Sequence, residues 1–192
     1  MGKLIVFEGT DGSGKSTQFE LLAKRLEAEQ IGFQRLRFPQ YEEPSSALIR
    51  MYLGGAFGDD PEAVNAYAAS TFYAVDRYAS YRTDWGGIYE NGGLILSDRY
   101  TTSNAIHQGS KLPEAELPAF FDWLYDLEYG KMGLPRPIWT WTCRPRSSGC
   151  STGRKNSTPR PTSMSRMRRI WKTVCASAAL PLRITAGRSC RS

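Results

Sequence analysis

Apolar residues along this chain fall into short solid runs and longer helical stripes. Leu4, Ile5, Val6 and Phe7 are consecutive and branched or aromatic, which predicts a strand covered on both faces. A glycine-rich turn follows. From Ser16 to about Gln30, Phe19, Leu21, Leu22 and Leu26 recur between charged residues, predicting a helix that Gly32 stops. Phe33 to Phe38 reads as a second strand ended by Pro39, and the stretches from about Ser45 to Leu53 and from Pro61 to Arg82 read as helices. Leu94, Ile95, Leu96 and Ser97 form a third buried strand after the Asn91-Gly92-Gly93 turn, and Pro113 to Leu127 is a helix rich in Phe and Trp. Strand and helix in this alternation predict an α/β fold, a central parallel sheet flanked by crossover helices. No internal repeat is visible.

Charge changes the picture only when it is located. The net charge is +6, yet all 19 acidic residues lie at or before Glu128 and none follows. Eleven of the 25 basic residues precede that point and 14 follow, so the first 128 residues carry 11 − 19 = −8 and the last 64 carry +14. The total describes neither part, and a basic protein seeking an acidic partner is not implied. The chain has no apolar run of about 18 residues, which excludes a membrane-spanning helix of the usual length. Its opening apolar run is four residues long and Glu8 follows at once, unlike a signal peptide; Val6 stands where a myristoylation signal needs Ser or Thr. The expectation is a cytoplasmic protein. Cys143, Cys150, Cys175 and Cys190 all lie in the acid-free part, at spacings that match no zinc pair, and no role is expected for them.

The strongest chemical signal is Gly9-Thr10-Asp11-Gly12-Ser13-Gly14-Lys15-Ser16-Thr17, which fits GxxxxGK[ST] between a strand and a helix. Glycines let the chain wrap and turn successive backbone N–H groups inward, making an anion nest, and the helix start adds about half a positive charge. Lys15 is placed to reach the β- and γ-phosphates, and the Ser16 hydroxyl to ligate Mg²⁺. This predicts a P-loop fold holding ATP.

Three further features suggest a small acceptor. Phe38-Pro39 ends the second strand, offering an apolar wall or simply a capped strand end. Tyr73 and Arg77 are four residues apart on one helix face, which suits a base and its phosphate, or core packing with a solvated Arg. Asp98 and Arg99 directly follow the third strand, at the carboxyl edge where open parallel sheets bind ligands. There Asp98 is placed for Mg²⁺ and Arg99 for a phosphoryl oxygen, or the two make a local ion pair.

These pieces, in this order, resemble the thymidylate kinase family of P-loop nucleoside-monophosphate kinases. The resemblance rests on Phe7 to Thr17, Phe38-Pro39, the helix of Tyr73 and Arg77, and Asp98-Arg99-Tyr100 followed by Ser103-Asn104, and covers about residues 1–137. It implies phosphorylation of dTMP by ATP with Mg²⁺, no nucleic-acid or membrane partner, and a homodimer. It further implies that Asp11 works near the acceptor phosphate, Tyr73 stacks on thymine, Arg77 contacts the nucleotide, Arg99 holds the acceptor phosphate, Asp98 is tied to magnesium and Asn104 reads the thymine edge. His107 stands where many members have Tyr close to the deoxyribose, and it also fits an ordinary surface helix position. Lys15, Asp11 and Arg99 are the expected catalytic residues. The transfer would be in-line, needing positioning and charge neutralisation rather than a strong base. Another P-loop kinase of a small acceptor, or a chain that only binds nucleotide, are the alternatives.

The resemblance stops near Pro137. Family members with Gly at the position of Gly12 take catalytic arginines from a lid after the fourth strand, a segment that should read Leu-Asp, then Pro-Pro-Glu. Here the chain reads Trp139 to Ser147 instead. Back-translated with each codon begun one base earlier, that stretch permits Leu-Asp-Leu-Asp-Met-Pro-Pro-Glu-Val. A frameshift also explains the loss of acids, whose codons begin with GA. Residues 138–192 are therefore expected to be an out-of-frame, poorly ordered tail beyond a kinase body at 1–137. A basic arm for nucleic acid or membrane, from Arg166, Arg168, Arg169 and Lys172, is the rival. Residues Ile138 to Thr142 still alternate as a strand would.

Overall fold

The computed structural model describes residues 1–9, 12–60 and 62–143, with side chains through Trp141. Thr10, Asp11, the expected helix start at Pro61 and the tail beyond Cys143, with its lid segment and its other three cysteines, lie outside the described residues.

Four parallel strands form one sheet in the order β2-β3-β1-β4, with β1 Lys3–Gly9, β2 Phe33–Arg37, β3 Leu94–Asp98 and β4 Trp139–Cys143. In register, Phe7 lies opposite Asp98 on one side and Trp141 on the other, and Arg37 also lies opposite Asp98. The alternating segment after Pro137 thus pairs with β1 as a strand. The solid apolar run of β1 has the cause expected of it. Leu4 and Val6 pack with Ile95, Leu36 and the buried Trp85 on one face, while Phe7 and Leu96 pack with Phe19 and Ala23 of the first helix on the other. Helices α1 Lys15–Ala28, α2 Ala47–Leu53 and α3 Ala66–Ser80 follow the predicted stripes.

Boundaries differ where local chemistry intervenes. The third helix begins at Ala66, not near Pro61, because Asn65 caps it: its Oδ1 accepts the Ala68 N–H at 2.8 Å. At its far end the α-helix widens into a π turn over Tyr81–Trp85 and resumes as α4 Gly86–Glu90. A further helix, α5 Thr101–Gly109, was not among the elements that the apolar pattern predicts, and only His107 hinted at one; its polar residues are mostly buried. The Phe- and Trp-rich helix is α6 Leu117–Tyr125, flanked by a 3₁₀ turn at Glu114–Glu116 and a π turn at Asp126–Lys131. Ala105 and Ile106 of α5 pack against Leu117, Phe120, Phe121 and Leu124 of α6. No helix among the described residues is long and apolar enough to cross a membrane.

Candidate active site

The described glycines of the loop adopt backbone angles that residues with a side chain disfavour. Gly12 and Gly14 have φ of 76° and 83°, the left-handed region that side chains disfavour, and Gly14 is the residue from which α1 starts. Among the described residues, the start of α1 carries neither a side-chain cap nor an acid in its first turn, the kind of helix terminus that suits an anion. Ser16 and Thr17 are exposed on that first turn.

Opposite the loop, the carboxyl ends of three strands are stitched together. Arg99 N donates to Phe7 O at 3.0 Å and Phe38 N donates to Asp98 O at 3.0 Å, just before the cis Phe38-Pro39 peptide. Asp98 therefore sits between both neighbours. Its Oδ1 takes an ion pair from the largely buried Lys15, and its Oδ2 lies 3.2 Å from Arg37 Nε. Lys15 and Asp98, 83 residues apart, are thus in direct contact where the expected phosphate site and the strand end meet. Arg99 turns the chain with φ 71°, unusual for a residue with a side chain, and its Nη1 lies 3.2 Å from His107 Nε2 on the exposed face of α5.

The other expected acceptor residues are more deeply placed. Phe38, 3% exposed, belongs to the core cluster of Leu36 and Trp85, its ring 5.9 Å from that of Tyr100; Pro39 is half-buried. Tyr73 is half-buried on α3, and burial, with Tyr52 and Tyr41 nearby, pushes its hydroxyl up to about 12. It stays neutral throughout the physiological range. Arg77, 2% exposed, donates through Nε and Nη2 to both oxygens of Glu128, and its guanidinium lies 5.9 Å from the Tyr100 ring centre. Asn104 is buried on α5. The structure brings Lys15, Asp98 and Arg99 to one edge and links Arg77 with Asn104 through Glu128. Asp11 and Thr10 are outside the described residues.

Three acids were not singled out by the sequence. Glu8, 1% exposed, closes the apolar run of β1 and caps α5: Oε1 accepts Tyr100 N at 3.0 Å and Ser103 N at 3.1 Å, and Oε2 accepts Ser103 Oγ. Burial pushes its carboxyl up to about 7, against the lowering effect of these bonds and of Arg99. Asp76 holds the turn after Pro39 to α3, accepting Gln40 N at 2.9 Å and Ser45 Oγ at 2.7 Å. Glu128 joins α3 and α5 from the turn after α6. For Glu8 alone a signal existed, a carboxylate between an apolar strand and the first glycine of the phosphate loop.

A family model described as thymidylate kinase matches residues 7–123. The thymidylate kinase of Mycobacterium tuberculosis is 34% identical over 137 residues, 71% of this chain and 63% of that one. That of Dictyostelium discoideum is 30% identical over 138 residues, covering 71% and 55%. The chain thus spans less than two thirds of the length of these relatives. Among solved structures, thymidylate kinase from Ehrlichia chaffeensis superposes with a TM-score of 0.69 at 20% identity, over all of this chain and 92% of that one. The enzyme from Candida albicans gives 0.63 at 22%, over 90% and 77%. The likeness to these structures is one of fold, in line with the parallel sheet and its flanking helices, while the family model over residues 7–123 and the 34% identical relative show that the chain belongs to the thymidylate kinase family.

Proposed function

We propose that this chain transfers the γ-phosphoryl group of ATP to dTMP. The observation that carries the reading is the contact of Lys15 with Asp98 at the carboxyl edge of β3, directly before Arg99. One cluster thereby joins the donor's phosphate loop to the acceptor's expected anion site. Gly9 to Thr17 would wrap the ATP phosphates through backbone N–H groups and the α1 terminus. Lys15 would exchange its carboxylate partner for phosphate oxygens, and Arg99 would hold the acceptor phosphate beside it. Asp11, in the same loop sequence, would work near the acceptor phosphate. Tyr73 would stack on the base, with Phe38 and Pro39 beside the phosphate loop, while Arg77 would contact the nucleotide, Asn104 would read the base edge and His107 would lie toward the sugar.

The Ser16 hydroxyl and the Asp98 carboxylate are hard oxygen donors of the kind Mg²⁺ takes, and Ser16 directly follows Lys15, whose side chain reaches Asp98. Bound there with ATP, Mg²⁺ would supply charge neutralisation on the phosphates. The residues' own work is positioning and screening. The acceptor phosphate is already ionised, so no strong base is required, and none of the acids at the edge needs that role.

The same proposal has a kinase body at 1–137 and an out-of-frame segment at 138–192, of which Trp139–Cys143 serves as β4. The protein would act as a cytoplasmic homodimer. ADP release measured with dTMP, dUMP and other monophosphates tests the activity, with dTMP expected to be preferred. Lys15→Ala should reduce turnover below detection; turnover retained in that variant would refute the phosphate-loop assignment.

A further inference from the structure

Glu128 is fully buried near the start of the turn after α6, yet it is paired on every side. Both oxygens take the Arg77 guanidinium, Oε2 accepts Thr101 Oγ1 at 2.7 Å, and Oε1 lies 3.5 Å from Asn104 Nδ2. It gathers three residues from two helices, α3 and α5. A carboxylate with no solvent exposure holds its place in a fold only with such partners, and it fixes them in turn.

The arrangement has a direction. Asn104 Nδ2 also donates to Ser70 O at 3.1 Å. Both of its neighbours, a carbonyl and a carboxylate, are acceptors only. A reversed amide would set Oδ1 against two acceptors, so the network allows one orientation. Oδ1 is then left on the opposite side, buried and with no hydrogen-bond partner among the described residues. Arg77, side-on to Glu128 through Nε and Nη2, turns Nη1 away from the carboxylate. A buried acceptor without a partner is costly in a finished fold and ordinary in a site that awaits a ligand.

We propose that Glu128 is a positioning residue that sets the hydrogen-bonding sense of the acceptor site. It holds Arg77 and the Asn104 amide so that the site offers one donor and one acceptor, matching a base edge with a carbonyl beside an N–H. The inference rests on the dTMP reading above. Thymine and uracil carry that edge. Cytosine presents a bare ring nitrogen where they carry N–H, and would face the Asn104 oxygen acceptor to acceptor.

The test is calorimetric titration of the full chain with dTMP, dCMP and ADP, for wild type, Glu128→Gln and Thr101→Val, with thermal melts by circular dichroism alongside. Glu128→Gln keeps the side-chain volume but brings an amide N–H against Arg77 or Asn104, releasing the fixed amide. In that variant dTMP affinity should fall about tenfold while ADP affinity stays, so that the dTMP:dCMP ratio collapses by a similar factor. Thr101→Val removes one donor to Oε2 at constant shape and should move the ratio the same way, about threefold. It decides the matter alone if Glu128→Gln fails to melt cooperatively. An unchanged dTMP:dCMP ratio overturns the proposal, whether the affinities hold or fall together, since a purely structural role moves all ligands alike. Wild type that binds ADP but not dTMP would instead overturn the acceptor reading, and this inference with it.

Discussion

Replacing Glu8 by glutamine should change how the stability of this protein depends on pH. The carboxyl is 1% exposed and burial raises it from the ordinary 4.5 to about 7. Its proton is thus held more tightly in the folded chain than in the unfolded one between those values. The folded state binds more protons in that window, so unfolding free energy falls as pH rises through it. The contribution is fully present below about pH 4.5 and gone above about pH 7. At about 1.4 kcal/mol for each pH unit between the two values, the wild type should lose about 3 kcal/mol from this one group across that window. The glutamine of Glu8→Gln has no charge to desolvate. Its carbonyl oxygen can still accept the Tyr100 and Ser103 N–H groups that Oε1 accepts now, and its amide can donate to Ser103 Oγ, so the cap on α5 survives. The assay is urea unfolding followed by tryptophan fluorescence at half-unit steps from about pH 4 to about pH 8, a range that brackets both values. The difference between variant and wild type cancels every other titrating group. That difference should grow in favour of the variant as pH rises, by about 3 kcal/mol in all. A difference flat with pH would show that Glu8 titrates in the ordinary range. One that grows toward the wild type would mean that its hydrogen bonds outweigh its burial.

Other expectations follow from single contacts. Asn65→Ala removes the side-chain acceptor at the head of α3 and should cost about 1 kcal/mol in urea unfolding, lowering the midpoint with the slope unchanged. Phe120→Ala, at a fully buried position between α5 and α6, should cost about 3–5 kcal/mol by the same measurement. A chain with its reading frame restored after Pro137 should exceed the present chain in kcat with dTMP and ATP. Equal kcat would mean that the expected lid arginines are not needed.

How much of the molecule was legible in the sequence depended on range. The phosphate loop, β1 and α1 are local: consecutive apolar residues, glycines at fixed offsets and a helical stripe state them within the opening segment. Asp98 and Arg99 were legible as a strand end because Leu94 to Ser97 is a solid run. α5 was not legible from the apolar pattern, for a physical reason. Thr101, Thr102, Asn104 and Gln108 are polar yet buried, so no apolar stripe marks the helix. Its start is fixed by Glu8, whose contact with Tyr100 spans 92 positions. The pairing of Arg77 with Glu128, 51 residues apart, was equally hidden. Arg77 looked like a free cation beside Tyr73, and only the folded chain shows the carboxylate that claims it. Phe38 shows another limit: the strand end left open an apolar wall or a simple cap, and only the folded chain shows its ring packed with Leu36, Trp85 and Tyr100.

The turn at Arg99 sets folding against turnover. Its backbone sits at φ 71°, a region that disfavours every residue with a β-carbon by about 1 kcal/mol or more. Glycine would relax that turn at once, so selection for thermal stability alone would favour losing the guanidinium expected to hold the acceptor phosphate. Two selective pressures thus act in opposite directions on one side chain. Libraries screened for robustness should therefore be screened for activity at Arg99 in the same round.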